Sequence, residues 1–227
     1  MLKFVIDFIY VQILKFVISN HNYSHFVKKG NAVSETLNYY NQNADQFCKT
    51  TISVEFSATQ DRFLSHLPAA AHILDFGCGS GRDTKAFLDQ GYHVEAIDGS
   101  EELCKLSSRY IGIQVRHMLF QELSAVSEYD GIWACSSILH LPEEELSEVL
   151  YKMSTALKSN GIIYTSFKYG TFSGERNGRY FTDMTEETFA DFISKIEGLQ
   201  VEEEWITSDV RPGRSEEKWL NLILRKK

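Results

Sequence analysis

Between residues 72 and 98 the chain places a short apolar run, HILDF, before three glycines spaced two apart, Gly77, Gly79 and Gly81. A helix-length stretch and a second apolar run, HVEAID, follow. That order reads as a strand, a tight turn, a helix and a second strand. Two parallel strands joined by a right-handed crossover helix are the unit from which open parallel sheets grow.

The alternation continues downstream. Ser100 opens a helix to about Tyr110, IQVRHMLF (113–120) reads as a third strand and YDGIWACSS (129–137) as a fourth. Pro142 suits the first turn of the next helix, Glu143, Glu144 and Glu145 complement its positive end, and Asn160-Gly161 stops it. GIIYTSF (161–167) is a fifth strand, a helix spans about 185–197, and VEEEWITS (201–208) and KWLNLILR (218–225) are a final pair. The expectation is a Rossmann-like, doubly wound α/β fold: a seven-stranded, mostly parallel sheet with an antiparallel C-terminal edge hairpin. Two helices, 34–47 and 54–67, precede it, with Ser34 as a cap for the first and Pro68 ending the second. Residues 31–227 therefore read as one domain with a helical cap over 31–68.

Residues 1–30 stand apart. Leu2, Val5, Ile6, Ile9, Ile13, Phe16 and Val17 share one helical face, while Lys3, Asp7, Gln12 and Lys15 interrupt the apolar run. A membrane span wants roughly 20 predominantly apolar residues, and a charge near its centre costs about 2.5–3.5 kcal/mol. The expectation is a docked or disordered extension without stable membrane insertion. The four cysteines, Cys48, Cys78, Cys104 and Cys135, form no C-x-x-C pair and lie near no histidine at ligand spacing. Reduced thiols, no metal site and a cytoplasmic location follow. A formal charge of -8 opposes a phosphate backbone, so nucleic acid is not the expected partner.

Glycines after a first strand allow close approach of a ligand to backbone and helix N-terminus. Asp98 ends the second strand about 20 residues on, where a carboxylate accepts ribose hydroxyls. Asp75, at the mouth of the loop, is awkward for two phosphates and suited to the ammonium of an amino-acid tail. The third glycine of G-x-G-x-x-G would fall on Arg82. These details favour S-adenosylmethionine (SAM) over a dinucleotide.

The run ILDFGCGSGRDTKAFLDQGYHVEAIDGSEEL, with LFQEL (119–123) and YDGIWACSSILHL (129–141), resembles the motifs of class I SAM-dependent methyltransferases. The likeness covers about 70–225 and is greatest to small-molecule enzymes, including the tellurite-resistance-like branch. It implies that Gly77, Cys78, Gly79 and Gly81 surround the methionine tail, with Asp75 at the amino group and Asp98 at the ribose. It also sets Gly99 and Ser100 beside the adenosine, Phe120 and Gln121 near the adenine, and Cys135 and Ser136 at the methionyl portion. Tyr39-Tyr40 is where such enzymes close a lid, with Tyr40 on the cofactor.

No catalytic triad is needed, because the donor brings its own reactive methyl. His140, just past the fourth strand, is the candidate base. Lys168, Arg176, Arg179 and Arg211 stand beside Tyr169, Tyr180 and Phe181 in two late loops and suit an anionic small molecule. Equally, they can be solvated residues tied by salt bridges. The N/D-P-P-Y/F and Pro-Cys motifs of nucleic-acid enzymes are absent: Ala134-Cys135-Ser136-Ser137 stands in their place. Methylation of RNA or protein, and a non-catalytic SAM-binding module, remain the alternatives. The oligomeric state and the acceptor's identity are not specified by any motif.

Overall fold

The computed structural model describes residues 34–227, and the expectations for residues 1–30 lie outside them. Helix α1 covers residues 34–51, so Ser34 is itself helical. Then come α2 (Ser57–Leu64), β1 (His72–Phe76), α3 (Arg82–Asp89), β2 (His93–Asp98), α4 (Glu101–Ile111), β3 (Arg116–His117) and β4 (Tyr129–Ala134). The chain continues through α5 (Glu143–Ala156), β5 (Leu157–Lys168), β6 (Ser173–Arg176), β7 (Arg179–Thr182), α6 (Glu186–Ile193), β8 (Leu199–Ser208) and β9 (Lys218–Lys226).

Seven strands form one sheet in the order β3-β2-β1-β4-β5-β9-β8, and β6 and β7 form a separate ribbon. Strands β1 to β5 run parallel, whereas β9 is antiparallel to both β5 and β8. The expected doubly wound sheet with its antiparallel edge pair is present. The chain builds outward through β2 and β3, then returns to the other side of β1 with β4. Ligands of such sheets bind at that switch point, beyond the carboxyl ends of the strands.

Strand alternation sorts the core into two layers. Ile73 joins Phe63, Phe87, Trp133 and Tyr164 beneath α2 and α3. Its neighbours Leu74 and Phe76 face α5 and α6. Helix α5 buries Leu146, Val149, Leu150 and Met153, one stripe of a 3.6-residue period. Trp133 stacks on Tyr164 with centroids 4.0 Å apart, tying β4 to β5.

Several boundaries differ from the sequence expectation: β4 ends at Ala134 rather than 137, α1 runs on from 47 to 51, and α6 stops at Ile193. Strand β3 keeps two residues of 113–120, because it is the sheet edge and both Arg116 and His117 are exposed. Helix α2 is confined to Ser57–Leu64, so it ends before Pro68 is reached. Helix α5 stops at Ala156, and Asn160-Gly161 lies within β5 as a bulge. The pairing moves from Tyr129–Leu157 to Gly131–Ile162 across it, with Asn160 at φ 62°. Finally, part of the stretch 167–183, read as a loop, is the β6–β7 hairpin. Asn177 and Gly178, at φ 54° and 73°, make its two-residue turn, the positive-φ pair that matches strand twist.

Candidate active site

At the carboxyl ends of β1, β2, β4 and β5 lies a cavity of about 220 Å³. Helix α1, the β6–β7 hairpin and the β8–β9 connection enclose it. Its floor is the loop from β1 to α3. The N–H groups of Gly77 and Cys78 both donate to the Ile97 carbonyl, at 3.0 and 2.9 Å, which pins the loop to β2. Asp98 fixes it from the side: one carboxylate oxygen accepts from Gly79 N–H at 2.9 Å, the other from Ser100 N–H at 2.8 Å.

Glycine is required here for two reasons at once. Gly77 and Gly79 have φ of 90° and 56°. A Cβ on Gly77 would also stand 2.6 Å from Cβ of Ser137, and one on Gly79 2.9 Å from the Phe47 ring. Gly81 differs. It starts α3 against α4, where a Cβ would meet Ile111 at 2.5 Å, and it does not line the cavity.

The floor is acidic and buried. Asp75 is buried and accepts a 2.6 Å hydrogen bond from Thr84 Oγ1. Burial, with Asp83 nearby, pushes its pKa up to about 8. Asp83 is fully partnered: Gln60, Arg82 and the Trp133 indole N–H all donate to it. Burial also raises Asp98 above the usual carboxylate range, against the pull of its backbone donors. Burial lifts the Cys135 thiol to about 12 and Cys78 well above its ordinary value, so both stay protonated at neutral pH. Neither thiol is a ready nucleophile.

Of the residues expected from sequence, Tyr40, Asp75, Gly77, Cys78, Gly79, Asp98, Gly99, Phe120, Gln121, Cys135, Ser136, His140, Lys168, Arg179 and Arg211 all line this cavity. Ser100 and Arg176 join Gly81 outside it. Ser100 is consumed by structure: its Oγ accepts from Leu103 N–H at 3.2 Å, capping α4, and donates to Asn41 on α1 at 2.8 Å. The Arg176 guanidinium binds both Asp183 oxygens, at 2.8 and 3.0 Å, between the rings of Phe172 and Phe181. A cation already neutralised in that way is not offered to the cavity.

His140 is enclosed beside the rings of Tyr40 and Phe181. Its Nδ1 lies 2.6 Å from the Tyr180 carbonyl, which can only accept, so Nδ1 carries the proton. Nε2 then accepts from the Tyr40 hydroxyl at 2.9 Å. Burial lowers the His140 pKa to about 4, and the Arg179 charge pushes the same way. Burial raises that of Tyr40. With both ring nitrogens engaged, His140 reaches an acceptor only through the Tyr40 oxygen.

Several lining residues carried no motif. Leu37, Phe47 and Thr51 meet the cavity along α1 together with Tyr40, and Ala44 between them is buried. Positions 37, 40, 44, 47 and 51 alternate by three and four, so the helical periodicity of this stretch held the signal. Asp83 and Asn221 had no such signal. Asn221 becomes a site residue because β9 is inserted beside β5, where it accepts from Tyr164 OH at 2.7 Å.

Residues 73–161 match the family model described as a methyltransferase domain. An uncharacterized methyltransferase of Staphylococcus carnosus is 24% identical over 139 residues, 58% of this chain and 67% of that one. A ubiquinone biosynthesis O-methyltransferase of Xanthomonas axonopodis pv. citri is 29% identical over 106 residues, 44% of each chain. The matched stretch thus spans less than half of the latter relative. Among solved structures, the 1,6-didemethyltoxoflavin-N1-methyltransferase of Burkholderia thailandensis superposes with a TM-score of 0.65 at 21% identity, covering 91% of this chain and 90% of that one. That protein was solved with 1,6-didemethyltoxoflavin and S-adenosylhomocysteine (SAH) bound. Residues 73–161 thus resemble a methyltransferase domain, and the fold is shared with that methyltransferase.

Proposed function

We propose that this chain is a class I SAM-dependent methyltransferase that transfers the methyl group of SAM to a small-molecule acceptor. Asp98 carries the proposal. Each of its oxygens is held by one backbone N–H at the end of β2 and keeps a lone pair for the vicinal hydroxyls of a ribose. Asp75 complements it as a buried carboxyl with no cation bound to it among the described residues, and such a group fits a ligand's ammonium. Gly77, Cys78 and Gly79 leave room for the tail between them, Gly81 positions α3 behind it, and Cys135 and Ser136 border the sulfur. Gly99, Phe120 and Gln121 suit the adenosine, with Ser100 acting through the cap of α4.

When bound, SAM supplies an electrophilic methyl on a sulfonium. The protein's own task is to align an acceptor with that methyl and keep water out. Helix α1 and the β6–β7 hairpin serve this, joined by a 3.0 Å hydrogen bond from Tyr180 N–H to Thr36 Oγ1. His140 is a positioning residue in this scheme: it fixes the Tyr40 hydroxyl, the group that faces the acceptor's proton. Lys168 and Arg211 are paired with Glu217 and Asp209, so of the basic residues expected at the acceptor it is Arg179 that supports an anionic one.

A small acceptor accords with the enclosed cavity, and the formal charge of -8 argues against nucleic acid. Four free cysteines support a cytoplasmic location. No helix among the described residues is long and apolar enough to cross a membrane. The test is calorimetric titration of the purified protein with SAM, SAH and NAD. Micromolar binding of both sulfur compounds with none of NAD is expected; preference for NAD, or binding of neither sulfur compound, overturns the proposal.

A further inference from the structure

Five cationic side chains line the cavity, and four of them are already neutralised. Arg82 forks onto Asp83 with two 2.8 Å hydrogen bonds, and Lys168 pairs with Glu217 over the Trp219 ring. Arg211 binds Asp209 through Nε at 2.9 Å, and Arg214 donates to Glu217 at 2.7 Å. Arg179 pairs with no carboxylate among the described residues. Its guanidinium lies 4.3 Å from the Tyr39 ring centroid and 5.2 Å from that of Phe181. Its Nε is buried and has no hydrogen-bond partner among the described residues. A buried donor left unmade costs about 1–3 kcal/mol, and more on a charged group. Such groups in a native fold call for an explanation.

The contrast with Arg176 sharpens the point. Arg176 and Arg179 are cross-strand partners that flank the Asn177-Gly178 turn, and both lie over the Phe181 ring. Asp183 neutralises the first and leaves the second alone. The hairpin also holds Arg179 in place: the adjacent Tyr180 binds Thr36 through its N–H and His140 through its carbonyl.

We infer that Arg179 is the anchor for an oxyanion on a planar acceptor, its guanidinium taking the carboxylate, phenolate or enolate while Tyr39 and Phe181 hold it in position. Arginine between aromatic rings presents an in-plane fork to such a group. The cofactor's own carboxylate is the other source of this chemistry, and the arms of the test distinguish the two. Arg179 lies 5.8 Å from the centroid of the Tyr40 ring, which itself touches the Phe47 ring over Gly79. The inference rests on the methyltransferase proposal for the name of the ligand, though not for the existence of an anion site.

The test uses benzoate as the probe and benzamide as its neutral counterpart, followed by saturation-transfer NMR with and without SAH. Benzoate is expected to bind at least tenfold more tightly than benzamide. Arg179→Met should abolish that difference, Arg179→Lys should restore part of it, and Arg176→Met should leave it intact. Tyr39→Leu should weaken benzoate severalfold without removing its preference over benzamide. Equal binding of the two probes to the unmodified protein overturns the inference whatever the variants do. So does benzoate binding within twofold of normal in folded Arg179→Met. An Arg179→Met protein that loses SAH tenfold while keeping benzoate would assign the oxyanion to the cofactor tail, which also overturns it. Failure of SAH to bind the unmodified protein strikes the methyltransferase proposal instead, and the comparison of the two probes still decides Arg179.

Discussion

The β1–α3 loop and the β6–β7 hairpin face one cavity, and both turn on residues with positive φ, but they are finished differently. In the loop, the N–H groups of Gly77, Cys78 and Gly79 are all taken up by Ile97 and Asp98. What it offers a ligand is shape, plus the spare lone pairs of two carboxylates. In the hairpin, the turn at Asn177-Gly178 is equally well formed, yet it delivers a guanidinium with a buried, unpartnered Nε. The difference teaches that one side is built from backbone and fixed before any ligand arrives. The other is built from side chains around a vacancy in hydrogen bonding. A common cofactor suits the first and a particular acceptor the second.

The largest expected effect lies on the fixed side. Asp98→Ala removes two charge-assisted acceptors, each worth about 1.5–3 kcal/mol, so SAH affinity should fall by about 100-fold or more in calorimetry. A loss below threefold would break the comparison at its base.

Next is pH. Burial holds the Asp75 carboxyl at about 8, so below that pH a proton competes with a ligand's ammonium. Raising the pH removes the competitor: SAH affinity should climb by up to about tenfold per unit between pH 6 and 7.5 and level off above 8. Asp75→Asn should flatten the profile. A profile equally steep in that variant would assign the titration to another group.

A matched pair of glycines comes third. Gly77→Ala meets both a positive φ and a Cβ at 2.6 Å from Ser137, and should weaken SAH roughly tenfold on a cost of about 1–2 kcal/mol. Gly178→Ala carries the same backbone penalty, but its Cβ meets only Tyr39 at 3.4 Å. Its SAH affinity should stay within threefold. Equal losses in the two would mean that the hairpin is part of the cofactor side.

The smallest effect is on stability. Tyr40→Phe leaves His140 Nε2 buried without a donor, at about 1–2 kcal/mol, and should lower Tm by roughly 2–8 °C in a thermal melt. An unchanged Tm would mean that water replaces the hydroxyl and that His140 is more accessible than its burial implies.

The fixed side was legible in the sequence because its requirements are local. Gly77, Gly79 and Asp98 sit at spacings imposed by one strand-turn-helix-strand unit, and the structure assembles them with no help from elsewhere. Ser100 shows the limit: its helix-capping position was readable, but its hydroxyl is then occupied by Leu103 and Asn41. The hairpin was also local, written as Asn177-Gly178. Its strands lack the clean apolar alternation that marks a strand, so the stretch reads as a loop. Asn160-Gly161 misleads in the opposite sense, since a stop signal for α5 is also the composition of a β-bulge.

The sequence by itself determined the doubly wound sheet, the place where it opens and the carboxylates waiting there, since periodicity and turn chemistry act over a few residues. Which arginine stays unpaired was decided only by the tertiary structure. Lys168, Arg176, Arg179 and Arg211 look alike in the chain; Asp209 is a near neighbour of Arg211, but Glu217 and Asp183 reach Lys168 and Arg176 only through folding. A guanidinium's chemistry depends on what lies within a few ångströms of it, and for Arg179 those neighbours are rings brought in from α1, not a carboxylate.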